Sequence, residues 1–170
     1  ITILSMAQVT HLHSDTHSWI VIPECSTNIT ELSTLGFTHE EAVEAIVPGT
    51  VFSSYVNAGI EEDPNFGDNI HRVDRSKYDR SFWYRTEFSI PSDFYKEHIW
   101  LNFNGVNRKA EIYLNGQPLG TLDGFMERGQ YDITHKLNPS GKNILAVLVH
   151  IPATPLANQG SPTYLSSGGW

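Results

Sequence analysis

Between residues 82 and 151, apolar and polar side chains alternate in short runs separated by turns that contain Gly and Asn. Phe82, Tyr84, Thr86 and Phe88 fall on one side of the first run, with Trp83, Arg85 and Glu87 on the other. A period of two marks a strand with one face turned to a core. Ile99, Leu101 and Phe103 repeat the pattern against Trp100, Asn102 and Asn104, and Ala110, Ile112 and Leu114 repeat it against Glu111 and Tyr113. Residues 143–151 are nearly continuously apolar, as in a central strand covered on both faces. Asn115 and Gly116 both tolerate positive φ and predict a two-residue hairpin turn, with Pro118 and Gly120 keeping the return strand short. Asn104-Gly105 and Asp123-Gly124 mark further turns. Short strands without a strand–helix–strand rhythm predict an all-β fold, a sandwich or jelly roll.

The first half is less regular. Residues 1–18 read as a tail or a first edge strand, followed by a short apolar strand from Trp19 to Ile22 that Pro23 ends. Ile1, Ile3 and Leu4 ahead of Ser5-Met6-Ala7 look like the clipped end of an export signal with a small-x-small cleavage site, which predicts a periplasmic or extracellular protein. The other reading is an ordinary N-terminal strand. Thr38 and Glu41 have capping-box spacing before a helical face of Ala42, Val43 and Ile46, although 42–47 is also short enough to be a strand. Thr50 can cap a helix carrying the pairs Val51/Tyr55 and Phe52/Val56, with Gly59 ending it. One or two short helices are therefore expected. Residues 60–81 are polar and irregular, and so long a connection in a compact domain is commonly functional.

Composition narrows the function. The chain has 170 residues, 39% hydrophobic and 18% charged, enough for one folded domain. A net charge of −8 without a Lys/Arg cluster argues against nucleic acid and anionic membrane surfaces, and no apolar run reaches the ~20 residues of a membrane span. Cys25 is the single cysteine, expected to be a small buried hydrophobe. His11, His13, Asp15 and His17 lie close in sequence, but nothing fixes their geometry, so they read as a solvated tail. No metal or cofactor is expected. Asn28-Ile29-Thr30 matches the N-glycosylation acceptor.

Three segments together are similar to the sugar-binding domain that precedes the catalytic barrel in glycoside hydrolase family 2. Trp83-Tyr84-Arg85 stands ahead of a strand and a Pro; Gly105 and Ala110 lead to Leu114-Asn115-Gly116 and Leu119-Gly120; Asp132-Ile133-Thr134 is followed by Asn143, Leu145 and Val147. Upstream, Val47-Pro48-Gly49-Thr50-Val51 and Asp63-Pro64-Asn65-Phe66-Gly67-Asp68-Asn69 resemble the branch of β-mannosidases, mannosylglycoprotein endo-β-mannosidases and exo-β-glucosaminidases. The resemblance covers roughly residues 18–170 and implies a galactose-binding-like jelly roll. In that branch a Gly-Trp-Asp-Trp-like motif reaches into the active site, whereas here Ser-Ser-Gly-Gly ends on Trp170, so a truncated domain is expected.

The resemblance also implies where chemistry resides. Retaining glycoside hydrolysis needs two carboxyl groups about 5–5.5 Å apart, and the family carries them in a (β/α)8 barrel of about 250 residues. This chain is too short for that barrel, so no catalytic residue is assigned and the chain alone is expected to be inactive. Its partners would be carbohydrate and a downstream catalytic barrel of the same polypeptide. Asp63, Asn65, Asp68 and Asn69 are the candidate sugar-binding residues: their side chains exchange hydrogen bonds with hydroxyls, Gly67 admits close backbone approach, and the resemblance puts Asn69 near the terminal sugar. A rigid structural turn is the rival reading, and a calcium loop using Asp63, Asn65 and Asp74 a third. Trp170 could stack on a pyranose or be a frayed end, and Trp83, Tyr84 and Trp100 could form a sugar platform or belong to the core. The rival function is a stand-alone carbohydrate-binding module.

Overall fold

The computed structural model describes residues 1–5, 8–91, 94, 98–124, 127–139 and 141–151. Two antiparallel sheets face each other. The smaller holds β1 (Thr2–Ser5), β2 (Gln8–His11), β6 (Trp100–Phe103) and β9 (Gly129–Asp132) in the order β2-β1-β6-β9. The larger holds β3 (Trp19–Pro23), β4 (Val43–Glu44), β5 (Phe82–Phe88), β7 (Lys109–Leu114), β8 (Gln117–Asp123) and β10 (Asn143–His150) in the order β4-β3-β5-β10-β7-β8. The expected all-β sandwich is therefore the fold.

Strand β10 explains the arrangement. It pairs with β5 along seven residues and with β7 along six, so its backbone is satisfied on both edges. Its inward set, Leu145, Val147 and Val149, meets Tyr84, Phe88, Ile112 and Leu101 between the sheets. Its outward set includes Ala146 and Leu148, which join Trp83, Ile22 and Leu32 in a second, smaller cluster. The unbroken apolar run thus has a cause: both faces are covered.

The outer layer over that second face is built by α1 (Ile29–Leu32) and the segment after it. Asn28 caps α1, its Oδ1 accepting from the amides of Thr30 (3.0 Å) and Glu31 (3.1 Å). Arg85, only 5% exposed, projects outward from β5 and holds the layer down. Its Nε donates to Leu32 O and its Nη2 to Thr34 O, each at 2.7 Å, while Nη2 also meets Glu87 Oε1 at 2.7 Å. Glu87 in turn accepts from the Gly36 amide (2.7 Å) and from Lys142 (3.2 Å). Phe37 lies under the guanidinium, 5.5 Å from the ring centre.

Several expectations change. Residues 1–18 follow the edge-strand reading rather than the tail: β2 is an edge of the smaller sheet, β1 lies between β2 and β6, and Ile3 and Leu12 are fully buried. The small-x-small pattern runs over Met6 and Ala7, which lie outside the described residues. The Thr38 capping box starts no helix. The His39 ring accepts from the Glu41 amide, Val43 pairs with Val21, and Ala45 and Val47 are buried two apart, so 42–47 follows the strand reading. The run is too short before Pro48 for a helix to outweigh sheet pairing. Cys25 is exposed rather than buried, sitting on a 3-10 turn at the end of β3 with its Sγ 3.8 Å from Arg80 Nη1. The return strand β8 is not short either. Its seven residues include a bulge opposite Ile112 and Tyr113, which accommodates Pro118 on the sheet edge.

The hairpin turn is as expected, with φ of 52° at Asn115 and 79° at Gly116. Asn115 does more than turn the chain. Its Oδ1 accepts from the Ile144 amide, and its Nδ2 donates to Lys136 O and Asn143 Oδ1, all at 2.9 Å. Asn143, wholly buried, also accepts from the Asn138 amide at 2.7 Å. The β7–β8 turn is thereby fastened to the start of β10.

Asn115→Gly keeps the turn geometry but removes this fastening, and is expected to lower unfolding free energy by about 2 kcal/mol in chemical denaturation. Arg85→Met is expected to cost about 3 kcal/mol, because it strips a buried network of its cation. Burial alone would raise the Glu87 pKa, yet hydrogen bonds from Arg85, the Gly36 amide and Lys142 outweigh it and hold the carboxyl below its ordinary 4.5. The stability from Glu87 is complete above that value and is lost as pH falls through the lower folded one. The gap in thermal midpoint between wild type and Arg85→Met should therefore narrow in acid.

Candidate functional site

The loop of residues 60–69 begins where α2 (Val51–Asn57) ends. Thr50 caps α2 and exchanges hydrogen bonds with Ser53 in a capping box, as the sequence predicts for its N-terminus. Gly59, at φ 72°, turns the chain out of the helix, and the amides of Ile60 and Glu61 both return to Tyr55 O, at 2.9 and 3.2 Å. Tyr55 packs with Phe52, Tyr78 and Phe82 in the main core, so the loop starts from a rigid base.

Asp63 then organises the loop. Its Oδ1 accepts from the Asn65 amide (2.9 Å) and from Asn65 Nδ2 (3.1 Å), an Asx turn across Pro64. Its carbonyl accepts from the Phe66 amide (3.2 Å) and from Asn69 Nδ2 (3.0 Å). The Asn69 amide reaches Phe66 O at 3.3 Å, and Gly67 supplies the left-handed φ of 58° that closes the ring of bonds. Asn69 starts α3 (Asn69–Arg72), whose Ile70 packs on the main core together with Val73 just beyond it. Asp68 turns its carboxylate to the Arg72 guanidinium, which also lies 3.6 Å from Glu62.

The structure thus brings Asp63, Asn65 and Asn69 together and directs Asp68 away into an ion pair. Asp63 uses its Oδ1 inside the loop, as a structural turn requires. Asn65 and Asn69 each use an amide nitrogen inward and keep a carbonyl oxygen available to accept. Trp170 lies outside the described residues. The residue missed by sequence reasoning is Phe66, 75% exposed at the tip of a loop locked by its own hydrogen bonds. A lone aromatic inside the otherwise polar run 61–69 was the available signal.

The other candidates separate. Asp74 caps the 3-10 turn of Arg75–Tyr78. Its Oδ1 accepts from the Ser76 amide (3.1 Å) and hydroxyl (2.7 Å), which hold its carboxyl below the ordinary range. Among the described residues no cluster of three metal-ligating side chains occurs. Trp83 and Tyr84 point to opposite faces of β5, the first against Tyr113 and the second into the main core, while Trp100 lies on the other sheet beside His98. They form no common platform. Glu61 is paired with Lys77 at 2.8 Å and Glu62 with Arg72. A cleft of about 400 Å³ lies between His13, Val47, Pro48 and residues 104–107, away from the loop and without a carboxylate in its wall.

Comparison with known proteins gives this geometry a family. The chain is 38% identical over 117 residues to a mannosylglycoprotein endo-β-mannosidase of Lilium longiflorum, 66% of this chain but 12% of that protein. It is 30% identical over 104 residues to an exo-β-D-glucosaminidase of Amycolatopsis orientalis, 59% of this chain and 10% of that one. The chain therefore spans about a tenth of the length of these curated relatives. Among solved structures, an exo-chitosanase of Amycolatopsis orientalis superposes with a TM-score of 0.71 at 24% identity, over 82% of this chain and 16% of that one. A β-D-mannosidase of Dictyoglomus thermophilum gives 0.63 at 24%, over 87% and 15%. The family model described as glycosyl hydrolase 2 galactose-binding domain-like matches residues 13–163, taking in the larger sheet and the loop alike, and the chain belongs to that family.

Proposed function

We propose that this chain is the non-catalytic sandwich domain of a longer glycoside hydrolase acting on β-linked mannosides or glucosaminides. In this reading the loop of residues 63–69 faces the catalytic domain of the same polypeptide and borders the pocket for the terminal sugar. The observation that carries it is the pairing of rigidity with exposure. A loop fixed by five internal hydrogen bonds at 2.9–3.3 Å presents Phe66 almost bare. An ordinary surface turn gains nothing from a bare aromatic, whereas a pre-ordered loop loses little entropy on docking. Phe66 would supply apolar area against the neighbouring domain, and the open oxygens of Asn65 and Asn69 would accept from sugar hydroxyls or from backbone amides at the seam. Relatives named as β-mannosidases, an endo-β-mannosidase and exo-β-glucosaminidases support the substrate class, and the small share of their length supports a domain of a larger enzyme.

The test uses the full polypeptide that carries this chain. Phe66→Ser and Asn69→Ala are each expected to lower kcat/KM on an aryl β-mannoside or β-glucosaminide tenfold or more, since small misplacements at a pocket wall are costly. Circular dichroism of Phe66→Ser should match wild type, because the ring takes no part in the hydrogen bonds that fix the loop. Wild-type kinetics in both variants would contradict the placement of the loop. A full polypeptide inert on both glycosides would contradict the substrate class instead.

A further inference from the structure

We propose that Asn28 is a glycan acceptor: when the polypeptide enters a compartment containing an oligosaccharyltransferase, an N-linked glycan is attached there without disturbing the helix cap that the same side chain forms. Asn28-Ile29-Thr30 is the one acceptor triplet in this chain, since Asn138-Pro139-Ser140 carries the Pro that forbids transfer. Sequence alone sets only the triplet. The structure adds three conditions that a usable acceptor must meet in the folded protein.

The first is access. Asn28 and Thr30 are both exposed, at the entry to a short helix on the outer layer. The second is a division of labour within one amide. The cap uses only Oδ1, which accepts from the Thr30 and Glu31 amides. Among the described residues Nδ2 donates to no protein atom. In the transfer, Nδ2 attacks C1 of an oligosaccharide carried on a polyprenyl pyrophosphate. The N–C1 bond forms, the C1–O bond to pyrophosphate breaks, the amide gives up one proton, and the lipid pyrophosphate leaves. The product amide keeps its carbonyl oxygen and hence the cap. The third condition is clearance. Asn28 stands over the outward face of the larger sheet, where Leu32 joins the small outer cluster. Asn28 itself belongs to neither buried cluster. A glycan at Asn28 therefore displaces no packed side chain.

The experiment routes the full polypeptide through the secretory pathway of a yeast or mammalian cell. The secreted protein is treated with peptide:N-glycosidase in heavy-oxygen water, and the peptide containing residue 28 is weighed. Most of that peptide is expected to arrive as heavy-labelled Asp. Thr30→Ala, which leaves the cap oxygen in place, should abolish the label, and Thr30→Ser should retain it. The glycosylated protein and the unglycosylated Asn28→Asp variant, whose carboxylate caps equally well, should share one thermal midpoint. Folded, secreted protein whose residue 28 peptide is unlabelled would overturn the proposal. So would a midpoint lowered by the glycan, since that would mean the cap and the sugar compete.

Discussion

Burial of β10 on both faces is the constraint from which the rest of the structure follows. A central strand with apolar side chains on both sides cannot remain in a two-layer sandwich with one face wet, because each exposed Leu or Val would forgo about 1.5–3 kcal/mol. The inward side is covered by the second sheet and the outward side by α1 and the segment through Phe37. That outer segment has too little regular structure to hold itself down. Arg85 and Glu87 do this with charge-assisted bonds to its carbonyls and to the Gly36 amide. The start of the strand is fixed by Asn115 and Asn143. The loop of residues 63–69 then hangs from α2 and Tyr55, which are part of the same core.

The legible part of the fold was the part where period and burial coincide. Phe82 to Phe88, Ile99 to Phe103 and the run from Asn143 each show their faces in the bare sequence, and Asn115-Gly116 shows its turn. Less legible were places where a partner distant in sequence decides. Val43 has a helix signal five residues upstream, but Val21 is available to pair with it. Cys25 is apolar enough for a core yet is carried outward by the turn after β3. Residues 1–18 left tail and edge strand both open, because the strand that anchors β1, β6, lies nearly a hundred residues away.

The loop of residues 63–69 shows a similar split. Its composition points to polar recognition, since Asp63, Asn65, Asp68 and Asn69 all carry hydrogen-bonding side chains. Folding spends much of that capacity internally: Asp63 on Asn65, Asp68 on Arg72, Asn69 on the Asp63 carbonyl. Among the described residues, the groups left out of these bonds are the Phe66 ring, the amide oxygens of Asn65 and Asn69 and one carboxylate oxygen each of Asp63 and Asp68. Hydrogen-bond inventories read from sequence overestimate what a tight turn can offer, because a turn consumes its own Asp and Asn residues.

The central claim, that this loop meets another domain of its own polypeptide, is tested most directly by hydroxyl-radical footprinting of the full-length protein. The side chain of Phe66 is 75% exposed and that of Leu35, on the outer layer, 54%. After correction for intrinsic reactivity, the account predicts that Phe66 is oxidised several-fold more slowly than Leu35 because the neighbouring domain covers it. Oxidation of Phe66 at a corrected rate equal to or above that of Leu35 would contradict the account.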